Sequence, residues 1–131
     1  MKMASLLVPV VVCVSFLASC QHERDKDRLN VKTLHKSIDY SRPGYEICSS
    51  FSLTRENVEV YFSLADEVET VEFSEKAVML PCRYRGELII QGKLAQWEIS
   101  AGGAGYLYQD PDSDKRYLCG KKCCAALPGL C

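Results

Sequence analysis

The chain has 131 residues, of which 47% are hydrophobic, and carries a formal net charge of −1. This length suits one domain, and the near-neutral charge provides no strongly basic field. Nucleic acid is therefore not expected as a partner, because binding to phosphates depends on basic side chains.

The first residues have the pattern of an export signal. Lys2 precedes an apolar stretch that continues to Leu17, is interrupted by Pro9, and has no charge before Glu23. The stretch is shorter than the roughly 20 apolar residues that a membrane span needs. We therefore expect this segment to be removed rather than retained.

The signal ends in Leu17-Ala18-Ser19-Cys20, which resembles the lipobox of bacterial lipoproteins. The resemblance implies cleavage before Cys20 and acylation of that cysteine, for example with palmitate, so that the lipid bilayer is a partner. Two or more acyl chains anchor a protein firmly. Gln21 resembles the residue after the cysteine in lipoproteins of the outer membrane, which face the periplasm. The alternative is cleavage by an ordinary signal peptidase, which would leave Cys20 unmodified.

The mature chain divides into a tether and one domain. Loss of residues 1–19 removes one lysine and no acid, which changes the formal charge to −2. Residues 20–30 mix acidic and basic side chains with little to bury, which predicts a flexible charged tether. Residues 31–131 are predicted to form a single disulfide-rich domain.

Six cysteines are predicted to form three disulfides, because an exported small domain with an even number of cysteines is typically cross-linked. Sequence alone leaves their pairing open. Cys123 and Cys124 are adjacent, so we expect them to bond to different partners and to fasten the C-terminal segment to the body. The candidates are Cys48, Cys82, Cys119, Cys123, Cys124 and Cys131.

The four cysteines within residues 119–131 also allow a thiol-redox or metal-binding interpretation. Zinc sites commonly pair closely spaced cysteines with each other or with histidines. This segment has no Cys-x-x-Cys, and His22 and His35 lie far away in the sequence. Structural disulfides are favoured, and neither a metal site nor a cofactor is predicted.

The first predicted elements are a turn at residues 40–44, a short extended segment around Cys48, and a helix from Ser52 to Val68. Thr54 suits the helix N-cap. An apolar stripe recurs at the three- and four-residue spacing of a helix face. It consists of Val58, Tyr61, Phe62, Ala65 and Val68.

An antiparallel meander is predicted after Pro81. Two alternating segments flank a turn at residues 91–93, and residues 104–108 and 116–119 add two further strands. We predict an α+β fold, a small disulfide-stapled β-meander with one helix packed on it, and all-β is the alternative. The inward residues of the hairpin are Tyr84, Leu88, Ile90, Ala95, Trp97 and Ile99.

About half of the chain resembles small exported bacterial proteins of no assigned activity. The resemblance supplies no catalytic residue. It is carried by Pro81-Cys82, Trp97, the segment 101–105, the segment 117–119 and Cys123-Cys124.

No catalytic residue is predicted. The glycines at 102, 103 and 105 lead into a strand, which favours a turn or bulge over a phosphate loop. The acids at 110, 112 and 114 begin like a calcium loop, but Lys115 and Lys121 occupy the positions of its glycine and its closing glutamate. Both histidines precede the predicted core, so a nucleophilic triad lacks a base.

A possible partner-contact surface is predicted from aromatic and basic residues. Tyrosines supply large contact areas at low entropic cost, whereas the arginines have a plainer role in pairing with Glu87 and Glu98 across the hairpin. The contact candidates are Tyr106, Tyr108, Tyr117, Arg83 and Arg85.

Together these features predict a non-enzymatic envelope lipoprotein with a binding or structural role, and with an envelope protein as its possible partner. Two alternatives remain. One is an envelope thiol-redox or metal-binding protein that uses the C-terminal cysteines. The other is a small inhibitor of a secreted enzyme, such as a lysozyme inhibitor, which rests on size and location alone.

Overall fold

The computed structural model describes residues 28–110 and 113–131. The predicted signal peptide, Cys20, and most of the tether lie outside these residues, as does Asp112. Asn30, which the prediction assigned to the tether, lies in the first strand. Across the described ranges, no helix combines the length and apolar character needed to cross a membrane.

Within the described residues, an antiparallel sheet of seven strands forms the body of the domain. Its order is β1-β4-β5-β6-β7-β3, and β2 also pairs with β4. The strands are β1 (Asn30–Val31), β2 (His35–Ile38), β3 (Asp66–Val68), β4 (Cys82–Ile90), β5 (Lys93–Ser100), β6 (Ala104–Asp110) and β7 (Ser113–Leu118).

Three short α-helices and two 3-10 helices accompany the sheet in the described part of the chain. The fold is therefore β-rich, which agrees with the predicted meander. The helices are α1 (Arg55–Leu64), α2 (Thr70–Lys76) and α3 (Lys121–Ala126), and the 3-10 helices are Tyr45–Ser49 and Pro128–Leu130.

The predicted meander is present as β4 to β7. The β4–β5 turn places both Gln91 (φ 51°) and Gly92 (φ 74°) in the left-handed region, as a two-residue hairpin turn with right-handed twist requires. The β5–β6 turn uses Gly102 and Gly103 at φ 103° and 97°. Gly102 and Gly103 therefore form a tight turn, as predicted, and Gly105 lies in β6.

The predicted helix from Ser52 to Val68 is present as Arg55–Leu64, so it begins later and ends earlier than expected. Thr54 caps α1: its hydroxyl accepts from the Asn57 amide, and the Asn57 side chain accepts from the Thr54 amide. The helix ends at Leu64 because Ala65 is extended. Val68 lies instead in β3, where it pairs with Arg116 of β7.

Two other local predictions are wrong. The segment around Cys48 is a 3-10 helix and not an extended strand. A single helix was expected, whereas α2 and α3 are also present. Both additional helices are short, at 7 and 6 residues, so neither presents a long apolar stripe that a periodicity argument can detect.

The hydrophobic core lies between one face of the sheet and α1, α3 and the second 3-10 helix. Tyr61 of α1 is fully buried, and its hydroxyl donates to the Gly103 carbonyl at 2.8 Å. A Cβ on Gly105 would lie 2.4 Å from the same hydroxyl. The largest fully buried side chains are Trp97, Tyr61, Leu88, Ile99, Leu107 and Val58.

The six candidate cysteines form three disulfides. Cys48–Cys82 joins the first 3-10 helix to the start of β4, and Cys123 and Cys124 have different partners, as predicted. The prediction that disulfides fasten the tail to the body is wrong, because Cys119–Cys123 and Cys124–Cys131 both lie within the tail. Burial of Cys123, Leu127 and Leu130 holds the tail on the core instead.

Candidate functional site

The two faces of the sheet differ in chemistry because successive strand residues point to opposite sides. One face contacts α1 and α3 and is apolar. On β4, β5 and β6 the other face presents polar and aromatic side chains. We call this set the outer-face surface, and its members are Arg85, Glu87, Gln96, Glu98, Tyr106 and Tyr108.

Strand register arranges these residues in two parallel rows that cross the sheet. Each row continues onto β7, so side chains from four consecutive strands stand side by side. Directly opposed residues in antiparallel strands are close enough to interact. The first row is Arg85, Glu98, Tyr106 and Arg116, and the second is Glu87, Gln96, Tyr108 and Asp114.

The aromatic part of the surface is a stacked pair. The rings of Tyr106 and Tyr108 have centroids 5.7 Å apart and are inclined by 8°. Phe73 of α2 packs 5.0 Å from Tyr106, and the Arg116 guanidinium lies 6.0 Å from the same ring. Tyr106 is thus held from several sides, while Tyr108 remains 38% exposed.

The charges on this face are largely paired. Arg83 contacts Glu98 at 2.9 Å, which confirms the predicted cross-strand pairing for that arginine. Arg116 contacts Asp114 at 3.0 Å. Such exposed pairs are worth up to about 1 kcal/mol. Within the described ranges, Arg85 makes no ion pair within 4.0 Å, so its guanidinium is available to a ligand.

A shallow depression of about 490 Å³ lies beside Tyr108. A second depression of about 410 Å³ shares Gln96 and Tyr108 with the first. Tyr108 therefore stands between two hollows that a partner's side chains can enter. The first is lined by Thr33, His35, Arg85, Gly86, Glu87, Gln96, Trp97, Glu98 and Tyr108.

The tyrosine hydroxyls are neutral at physiological pH. Partial burial raises the pKa of both Tyr106 and Tyr108 above the usual value, and for Tyr106 the nearby Arg116 opposes the shift. A neutral phenol is both a hydrogen-bond donor and an acceptor. The surface thus combines two aromatic rings, two phenols, a free guanidinium and an amide.

Tyr117 does not belong to this surface, although the sequence grouped it with Tyr106 and Tyr108. It pairs with Gly105, whose residue position faces the core, and it is 9% exposed. Phe62 packs against its ring at 5.3 Å. Burial accordingly raises the pKa of Tyr117, and the residue has a structural role.

The tail cysteines form a second cluster of interest. The sulfur atoms of Cys119, Cys124 and Cys131 all lie within 4.8 Å of one another. Such convergence suits a soft metal ion when the sulfurs are thiolates. Here each sulfur belongs to a disulfide, so the cluster requires reduction before it can bind a metal.

Sequence reasoning missed several residues of the outer-face surface. Gln96 could have been found, because it alternates with the predicted inward residues of β5. Phe73 and Arg116 carried no such signal, since their place depends on α2 and on the β6–β7 register. His35 is exposed as predicted, but it lies opposite Arg85 in a strand that was not predicted.

Comparison of the chain with models of known protein families, with curated proteins and with solved structures finds no match in any of the three.

Proposed function

We propose that this protein is a non-enzymatic lipoprotein of the bacterial cell envelope, whose domain binds another envelope protein through the outer-face surface. Acyl chains on Cys20 would hold it in the membrane, with the outer membrane and its periplasmic side as the location. The lipobox resemblance supports the anchor. The paired rows of side chains around the stacked Tyr106 and Tyr108 carry the binding proposal.

Stacking and partial exposure together favour a contact role for these tyrosines. A side chain that is already fixed loses little entropy when a partner binds. Phe73 and Arg116 fix Tyr106, and Tyr106 in turn supports Tyr108. Tyrosine and arginine are the residues most often found among binding hot spots, which favours a protein partner.

The charges around the tyrosines suit a rim and not a catalytic pair. Glu98 is already engaged by Arg83 and Asp114 by Arg116. Paired rim charges guide orientation and association rate more than they add affinity. Arg85 is the exception, and we propose that its guanidinium donates hydrogen bonds to a carboxylate or carbonyl of the partner.

We also assign the domain to the α+β class, as opposed to all-β. The helices α1 and α3 pack against each other and lie on the core side of the sheet. The short helix α2 lies elsewhere, with Phe73 against Tyr106 of the outer face. An antiparallel sheet whose core side is covered by helices from separate parts of the chain is typical of α+β folds.

Site-specific photocrosslinking tests the binding proposal. A photoreactive phenylalanine analogue replaces Tyr108 in the full chain, expressed in its native envelope. The matched control places the analogue at Tyr40, which is more exposed at 69% and lies in the turn before the first 3-10 helix. We expect one reproducible protein adduct from position 108 and none from position 40.

Substitution provides the second arm of this test. Tyr108→Ala should reduce recovery of the crosslinked partner by at least tenfold when the probe stands at position 96, whereas Tyr40→Ala should leave recovery unchanged. An equal loss in both variants, or no adduct at 108, overturns the proposed surface.

The anchor has an independent test. Intact mass spectrometry of the membrane-extracted protein should show loss of residues 1–19 and an added acyl mass on Cys20. An unmodified Cys20 overturns the anchor without bearing on the outer-face surface.

A further inference from the structure

The cysteine tail, residues 119–131, brings two disulfides into contact. Cys119–Cys123 joins the residue after β7 to α3, and Cys124–Cys131 joins α3 to the residue after the second 3-10 helix. The sulfurs of Cys119, Cys124 and Cys131 lie within 4.8 Å of one another. Each disulfide therefore presents a sulfur to the other.

The four cysteine residues differ in their exposure to solvent. Cys131 is exposed, Cys119 and Cys124 are half-buried, and Cys123 is 0% exposed. A thiolate that attacks a disulfide must reach one of its sulfurs. An external thiol will therefore meet the tail at Cys131.

We propose that Cys131 is a site of mixed-disulfide formation with an external small thiol. In the first step, the external thiolate attacks the Cys131 sulfur. The bond between Cys124 and Cys131 breaks, a bond between the external sulfur and Cys131 forms, and Cys124 leaves as a thiolate.

The second step retains the external thiol. The Cys124 thiolate attacks the Cys119 sulfur, forms a Cys119–Cys124 disulfide and expels Cys123 as a thiolate, which takes a proton from water. Both steps are exchanges, so one external thiol is consumed and one protein thiol is released with no other oxidant or reductant.

Burial determines where the released thiol stays. Cys123 belongs to the hydrophobic core, and a neutral thiol behaves there as a small apolar group. Apolar surroundings disfavour the thiolate that would reverse the step. Without the Cys119–Cys123 disulfide as a target, the Cys124 thiolate would remain beside Cys131 and would expel the external thiol again.

Reduced glutathione is the probe for the first test. The full oxidised chain is incubated with glutathione, quenched with acid, unfolded and alkylated, and its cysteine peptides are mapped by mass spectrometry. We expect one glutathione on Cys131, a Cys119–Cys124 disulfide and alkylation of Cys123. An adduct elsewhere, alkylation of Cys124 beside an intact Cys119–Cys123 bond, or no adduct overturns the proposal.

The same sample contains an internal control. Cys48–Cys82 is buried at both sulfurs, at 0% and 1% exposure, so it should remain unmodified. Glutathione on either of these cysteines would show that the tail has no special access and would count against the site.

A variant isolates the second step without an external thiol. Cys131→Ser leaves Cys124 without its partner, so the exchange predicts a Cys119–Cys124 disulfide with the free thiol on Cys123. A free thiol on Cys124 would overturn the exchange step. If this variant does not fold, the glutathione experiment on the unmodified chain decides the question.

Discussion

Removal of the Cys48–Cys82 disulfide is predicted to destabilise the domain more than removal of Cys124–Cys131. Each pair is replaced by alanines. The bridged residues are 34 apart in the first case and 7 in the second. A longer closed loop restricts the unfolded chain more. The chain-entropy costs of losing the two bridges are about 3.8 and about 2.4 kcal/mol, a difference of about 1.4 kcal/mol between the two variants.

Packing acts in the same direction. Cys48 and Cys82 are 0% and 1% exposed, whereas Cys131 is exposed. Truncation of buried side chains leaves a cavity that adds to the cost. The difference of about 1.4 kcal/mol is therefore a lower bound for the gap between the two variants.

Urea unfolding measures both variants against the native chain. Trp97 is the single tryptophan and is 1% exposed, so its fluorescence reports loss of the core. Equal free energies of unfolding in the two variants, or a larger loss in the tail variant, would refute the reasoning. Altered denaturant slopes would show that the unfolded or native state itself had changed.

Two further predictions concern the core. Gly86→Ala would place a Cβ 1.9 Å from the Thr33 carbonyl oxygen and should lower the free energy of unfolding in urea by about 1–3 kcal/mol. The control Gly129→Ala, whose Cβ would have nothing within 4 Å, should change stability by less than about 0.5 kcal/mol. Equal losses of stability in the two variants would show that the clash at Gly86 has no effect. Burial raises the pKa of Tyr61, so its stabilising effect is complete below about pH 10 and falls by about 1.4 kcal/mol per pH unit above it. Tyr61→Phe should lower the free energy of unfolding by about 1 kcal/mol at pH 7 and should reduce the fall of stability with pH above about pH 10. An unchanged fall would show that Tyr61 is not the group that titrates.

The hairpin β4–β5 was predictable because its signal is local. Inward positions alternate within each strand from Tyr84 to Ile99, and Gly92 is a preferred residue for the second position of the turn. The strands β1 and β2 were not predictable in this way. They are 2 and 4 residues long, and only pairing with β4, about 50 residues later in the chain, fixes them as strands.

The candidate site shows the same division between local and distant information. Tyr106 and Tyr108 have the same parity in one strand, so alternation alone places them on one face. Tyr117 lies beyond a hairpin, and its face depends on the β6–β7 register, which opposes it to Gly105. The three tyrosines were grouped because they lie near one another in the chain, but the sheet places Tyr117 on the opposite face.

Cysteine pairing is a third case in which sequence left alternatives that geometry resolves. The adjacency of Cys123 and Cys124 disfavoured a bond between them, and bridges from the tail to the body were predicted from it, whereas both tail disulfides are local. The fold brings Cys48 to Cys82 because β2 and the first 3-10 helix lie next to the start of β4. The tail, by contrast, closes on itself.

The alternation that builds the sheet also separates stability from recognition. Inward residues of β4, β5 and β6 contact the helices, and the intervening residues of the same strands form the outer-face surface. Tyr108 lies outside the hydrophobic core cluster, so its substitution should alter binding more than folding. Tyr117 is the opposite case, because it is buried against Phe62. Truncation of its ring should destabilise the domain and should have no separate effect on partner binding. The two tyrosines thus distinguish a contact residue from a core residue on neighbouring strands.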